Sequence, residues 1–167
     1  GHTRAIDIAA VNGETFVNTS SIGIYPYMVI DRERRRSAHR LTKWMAMSLA
    51  FFRVLRHFPR RRLCLRAEGL ARPYNTPCLF VGNNEYGIDL FALGRRPRLD
   101  SGTLWFYVLK PATAWELFLT VWRLCRGHKD PERDLDTFQL REAEIDAKTS
   151  RLPVALDGDV LILHPPL

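Results

Sequence analysis

The chain has 167 residues, of which 46% are hydrophobic and 26% charged, and it carries a formal net charge of +7. That is the composition of one folded domain with a full core, and it excludes a disordered tail or a cysteine-stapled secreted scaffold. Cys64, Cys78 and Cys125 are scattered without a CxxC pair, which predicts buried thiols in a reducing compartment, and no run of 18 apolar residues predicts a membrane span.

The chain opens on Gly1-His2 without a starting Met, and the expectation is a piece of something longer. Residues 4–10 and 15–24 read as two strands joined by a turn at Asn12-Gly13, a pair that tolerates the positive φ a tight hairpin needs. The second run is polar in its middle, as suits either a strand that lines a site or a plain edge. Arginine then dominates: Arg32, Arg34, Arg35, Arg36, Arg40 and Lys43, followed by Arg53, Arg56, Arg60, Arg61 and Arg62. Such clusters suit anionic headgroups or phosphates, and equally a solvated face.

Over residues 37–57 the apolar period becomes helical, with Leu41, Trp44, Met45, Ser48, Phe52 and Leu55 on one face. Ser37 is a plausible N-cap and Pro59 a stop. Residues 63–68 and 76–82 read as strands, 95–102 as a turn-rich loop, and 103–109 as another strand. Pro111-Ala112-Thr113 opens a helix to about Leu124, with Thr113 as N-cap, Glu116 at the capping-box position and Gly127 beyond its end. Residues 128–136 form a polar linker, and 137–146 alternate loosely as a strand.

The last signal is the strongest. Two β-rich runs in residues 153–163 flank Asp157-Gly158, a hairpin turn on φ > 0 grounds. Asp159 follows two positions on, so this turn could equally offer two carboxylates for a cation or a proton. The predicted class is α+β, predominantly β: an antiparallel β-sandwich with two inserted helices.

Three segments in this order resemble a known family: Phe16-Val17-Asn18-Thr19-Ser20-Ser21-Ile22-Gly23, Arg98-Leu99-Asp100-Ser101-Gly102-Thr103-Leu104, and Val154-Ala155-Leu156-Asp157-Gly158-Asp159. With Val81-Gly82-Asn83-Asn84 and Val108-Leu109-Lys110-Pro111 they resemble the C-terminal domain of the diacylglycerol kinase catalytic family, from about Ala5 onward. The resemblance implies a two-domain lipid kinase. Its N-terminal domain holds ATP on a Gly-Gly-Asp-Gly-Thr loop, and its C-terminal sandwich holds the lipid. No Gly-Gly-Asp-Gly run occurs here, so residues 1–167 are expected to be the C-terminal lipid-binding domain alone, without the ATP-binding domain and inactive by itself.

Carried over by motif, Asp157 matches the acidic residue at the phosphoryl-transfer centre, as base or through Mg²⁺. Asp159 stands where a Glu is more usual. Asn18, Ser20 and Gly23 match the strand beside the substrate cleft. Asp100 matches the first acidic residue of a Mg²⁺-holding loop whose second is Ser101 here, which weakens such a site. The implied cofactors are ATP, held mainly by the other domain, and Mg²⁺.

The implied partners are a diacylglycerol-like lipid and an anionic membrane, reached by the basic helix at 37–57, with a cytoplasmic location peripheral to the inner membrane face. Exposed sheet edges favour a covering partner, a homodimer among the candidates. The competing reading is a non-catalytic lipid-binding or regulatory module. A nucleic-acid partner is not expected, because the arginines fall on a helix and not among aromatics on a sheet face.

Overall fold

A computed structural model describes residues 5–36, 60–86, 98–111, 113–126 and 131–167. The helix read over 37–57, its stop at Pro59 and the helix-ending Gly127 lie outside the described residues.

Eleven strands and three helices are described, and every strand pairing among them is antiparallel. Strands β1 (Ala9–Val11) and β2 (Glu14–Phe16) form a two-stranded ribbon. Six strands make the main sheet: β3 (Thr19–Gly23), β6 (Cys78–Asn83), β7 (Leu104–Leu109), β8 (Leu135–Leu140), β10 (Leu152–Leu156) and β11 (Asp159–Leu163), ordered β11-β10-β3-β6-β7-β8. Strands β4 (Arg61–Ala67), β5 (Leu70–Thr76) and β9 (Glu144–Ala147) make the smaller sheet, ordered β5-β4-β9.

The core lies between these layers, as a sandwich requires. Ile22, Leu79, Val81, Phe106, Val108, Leu152, Val154 and Leu156 point in from the main sheet. Leu63, Leu65 and Ile145 meet them from the smaller sheet, and Phe16 from the ribbon. The outer face of β6–β7 carries a separate aromatic group, with the Phe80 ring edge-on to Tyr86 at 5.7 Å and 6.0 Å from Tyr107. Helix α1 (Ile24–Arg36) packs against β3, β10 and β11. Helix α2 (Ala114–Cys125) and the single turn α3 (Pro131–Asp134) connect β7 to β8. The Glu116 N–H donates to Thr113 Oγ1 at 3.1 Å, which is the N-cap read from the sequence.

The α+β, mainly β class holds, and several boundaries move for physical reasons. The run read as one strand over 15–24 is two strands in different sheets, broken at Val17-Asn18 where three N–H groups turn to a carboxylate. The run over 137–146 likewise splits into β8 and β9, one per sheet. The run over 4–10 is strand only from Ala9; ahead of it, Asp7 is tied instead to the loop before β7, donating its N–H to the Leu99 carbonyl.

Three described elements were absent from the sequence reading: β5, α1 and the single turn α3, which falls inside the run read as a polar linker. Strand β5 contains Pro73, which an edge strand tolerates because its outward side has no ladder bond to lose. It is joined to β4 by a turn with positive φ at both Glu68 and Gly69. Helix α1 begins with Ile24-Tyr25-Pro26-Tyr27, whose bulky residues read as more strand, yet Pro is well suited to a first helical turn. Tyr27 is held from below by Arg61, which donates to its hydroxyl. Cys64 and Cys78 are free thiols, and burial pushes the Cys78 thiol up to about 11, so it is inert at neutral pH.

Gly23 makes the passage from β3 into α1 possible. Its φ is +99°, and a Cβ there would lie 2.1 Å from the Pro77 carbonyl oxygen, the same oxygen that accepts the Ile24 N–H at 2.9 Å. Gly158 has a similar φ of +103° with nothing within 4 Å of a built Cβ. Gly23→Ala is therefore expected to lower stability by about 2–4 kcal/mol and Gly158→Ala by about 1 kcal/mol, read from urea denaturation midpoints. Equal losses at the two positions would contradict this account.

Candidate functional site

The site is built at one end of the main sheet, where β10 ends, β3 begins, β6 ends and β7 begins. At its centre is the turn between β10 and β11. Asp157 and Gly158 both have positive φ, 49° and 103°, the geometry of a tight hairpin matched to strand twist. The turn aims the Asp157 carboxylate across to the crossing between β2 and β3. Oδ2 accepts the Val17 N–H at 2.7 Å, and Oδ1 accepts the Asn18 and Thr19 N–H groups at 2.8 Å each. The Asp157 N–H returns a bond to the Thr19 carbonyl at 2.9 Å. Three successive N–H groups converging on one carboxylate form an anion-binding nest whose occupant is a side chain of the same chain.

The network continues across the sheet. The Asn18 carbonyl accepts the Asn83 N–H at 2.9 Å, while Asn83 Nδ2 donates to the Val17 and Asp7 carbonyls. Asn84, fully buried with φ 73°, donates its N–H to the Thr103 carbonyl. Its Oδ1 accepts both the N–H and the hydroxyl of Ser101. Asp7 closes the ring, its carboxylate accepting the Gly102 N–H at 2.7 Å. A buried polar network of this kind is stable only because its members satisfy one another.

The sequence-selected residues distribute as follows. Asp157 and Asn18 are in direct contact through the backbone of Asn18. Asp159 opens β11, opposite Leu156, and is exposed. Ser20 is buried on the core side of β3, opposite Val81 and Leu156. Asp100 is exposed at the same end, its carboxylate 3.4 Å from Arg98 Nε. Gly23 stands apart, at the far end of β3 beside Pro77.

Asn83, Asn84, Ser101 and Asp7 join the network without having been selected as site residues from the sequence. Asn84 had a usable signal, an Asn after a Gly-Asn strand end, where a positive φ is tolerated. Asp7 had none, since its partner is 95 residues away.

The fit to Mg²⁺ can be judged on the donors present. Among the described residues no three His, Cys, Asp or Glu side chains group to hold a metal ion. Asp100 faces Arg98, and the Ser101 hydroxyl is engaged with Asn84. The loop from Arg98 to Thr103 is thus tied down by hydrogen bonds from Ser101 to Asn84 and from Gly102 to Asp7, with Asp100 as its carboxylate.

No family model matches the sequence, and no curated protein does. Solved structures do match. Two, each described as a "putative diacylglycerol kinase" from Bacillus anthracis str. Sterne, superpose with TM-scores of 0.63 and 0.64 at 22% identity. They cover 99% of this chain and 52% and 53% of their own. Another from the same organism, described as a diacylglycerol kinase, gives 0.55 at 16% identity, covering 98% of this chain and 49% of its own. The chain has their fold. It spans about half the length of those structures, and at these identities what is shared is the architecture.

Asp157 and Asp159 differ in a way that mutation can read. Asp157→Asn puts an amide NH₂ where a backbone N–H now donates, and should lower stability by about 1–2 kcal/mol, a modest figure because the turn is exposed. Asp159→Asn should leave the urea midpoint unchanged. Indistinguishable midpoints for the two variants would remove Asp157 from the centre of this network.

Proposed function

We propose that this chain is the lipid-binding half of an ATP-dependent lipid kinase, acting on the hydroxyl of a diacylglycerol-like lipid at a cytoplasmic membrane face. The observation that carries the reading is the likeness of 99% of the chain to about half of a protein described as a "putative diacylglycerol kinase". The gathering of Asp157, Asp159 and Asn18 at one sheet end supports it further.

Phosphoryl transfer asks a protein mainly for positioning and charge control. In this reading the lipid hydroxyl approaches the β10–β11 turn from solvent. Asp159, exposed and one residue past the turn, accepts the hydroxyl proton as the oxygen attacks phosphorus. Asp157 is the positioning residue: its carboxylate fixes residues 17–19 and with them the wall of the cleft. Ser20 supports that wall from the core side, while Gly23, at the far end of β3, sets the turn into α1. The half-buried rings of Phe80 and Tyr86, packed over the buried Tyr107, offer apolar surface for acyl chains. ATP would supply the phosphoryl group, with ADP leaving as the bond to the γ-phosphorus breaks, and with Mg²⁺ would be held mainly by residues outside this chain.

One observation favours a second reading, a non-catalytic lipid-binding module. Three backbone donors already explain why an Asp is needed at 157, so the motif does not require chemistry.

The full-length protein, labelled ATP and mixed micelles of diacylglycerol, phosphatidylglycerol or a sphingoid base decide between the two. We expect a phosphorylated lipid, and a drop in kcat of about 100-fold or more in Asp159→Asn at unchanged stability. No product with any lipid favours the binding module. Full activity in Asp159→Asn removes that carboxylate from the proton transfer.

A further inference from the structure

Helix α2 is apolar on two opposite faces. Leu117 and Thr120 turn inward and are 7% and 4% exposed, so one face is already covered by the domain. The other face carries Trp115, Phe118 and Trp122 at the i, i+3, i+7 spacing that places side chains in one stripe. Trp115 is 65% exposed and Trp122 47%. The rings form a continuous ladder, with centroids 5.3 Å apart from Trp115 to Phe118 and 6.3 Å from Phe118 to Trp122. Arg126 extends the same stripe, its guanidinium 4.2 Å from the Trp122 ring centre. A surface helix ordinarily turns charge outward, and two exposed Trp rings bridged by a half-buried Phe118 mark an interaction surface.

We infer that the Trp115–Phe118–Trp122 ladder of α2 is the surface by which this chain sits on an anionic lipid bilayer. Three features select a bilayer as the occupant. The stripe is a single convex helix face, which a fluid surface can receive. Two of its three aromatics are Trp, which favours the membrane–water boundary through an apolar ring with a polar N–H. Its charge is complementary to acidic headgroups through Arg126, which is exposed on the stripe itself, and through the chain's overall +7; Arg123 is engaged by Asp134 at 2.7 Å, and Glu116 is the single acidic residue between 114 and 126. Among the described residues no helix is long and apolar enough to cross a membrane, so contact through this helix would be interfacial. The sequence reading gave the membrane contact to residues 37–57; α2 is a different element, inserted between β7 and β8 at the sheet end away from Asp157.

The choice of a bilayer rests on the lipid reading above, and its test uses neither ATP nor turnover, so either idea can fail without the other. The 167-residue chain is mixed with vesicles of phosphatidylcholine containing about one-third phosphatidylglycerol, and binding is measured by flotation. In a Trp44→Phe, Trp105→Phe background, acyl-brominated lipids should quench the emission of Trp115 and Trp122. Trp115→Ser with Trp122→Ser should weaken partitioning by about tenfold or more with the thermal midpoint unchanged, and Arg126→Gln by about fivefold in low salt. Unquenched emission, or unchanged partitioning in the double variant, overturns the assignment. So does a double variant that turns a dimer into a monomer, since the ladder would then meet a second copy.

Discussion

The fold depends on one carboxylate taking three backbone N–H groups. Between β2 and β3 the chain must leave a two-stranded ribbon and enter the main sheet, and in doing so the N–H groups of Val17, Asn18 and Thr19 all come to face the same point. Buried or half-buried donors without acceptors are costly, and a strand cannot supply an acceptor to three consecutive residues at once. Asp157 supplies it from the tip of a hairpin more than 130 residues further on. The turn geometry and the strand crossing are therefore one constraint: the hairpin's positive φ values aim the carboxylate, and the carboxylate ends β2.

That constraint propagates along the sheet end. Once Asn18 is fixed, its carbonyl receives Asn83, which places Asn84 under the loop at Ser101, and Asp7 joins from the leading segment. The result is a rim of polar groups that satisfy each other, with Asp159 standing beside it and exposed. A rigid, self-satisfied rim with an exposed carboxylate next to it is suited to holding a substrate group in a fixed position, whatever reaction follows. At the opposite end of the same sheet, Gly23 and Pro77 pack backbone on backbone, and α2 leaves β7 carrying aromatic rings outward. The two ends differ in chemistry because one is closed by polar side chains and the other by a glycine contact and an inserted helix.

Much of this was legible beforehand. The Asp157-Gly158 hairpin, the strands β6, β7, β10 and β11, and the capped helix α2 follow from local signals: turn residues that accept positive φ, short β-rich runs, and an N-cap followed three residues later by Glu. The motif residues Asn18 and Asp157 were chosen from separate segments and do touch. Less legible were the breaks at Val17-Asn18 and at residues 141–143, because no Gly or Pro marks either break and nothing local says that the run changes sheets. Strand β5 was hidden by Pro73, acceptable only because the strand lies at an edge. Helix α1 was hidden by its opening of aromatic and branched residues.

By itself, then, the sequence determined the elements whose signals lie within a few residues: which turns can bend, which runs extend, where α2 starts, and that the chain is a mainly β domain with a basic surface. Tertiary structure alone decided the role of each polar residue at the sheet end. Asp157 is an acceptor for backbone donors, Ser101 is a partner of Asn84, and Asp7 belongs to a loop 95 residues away. The physical reason is range. Backbone propensity is set by neighbours in sequence, whereas a hydrogen-bond partner is set by whichever unsatisfied group the completed sheet brings within about 3 Å.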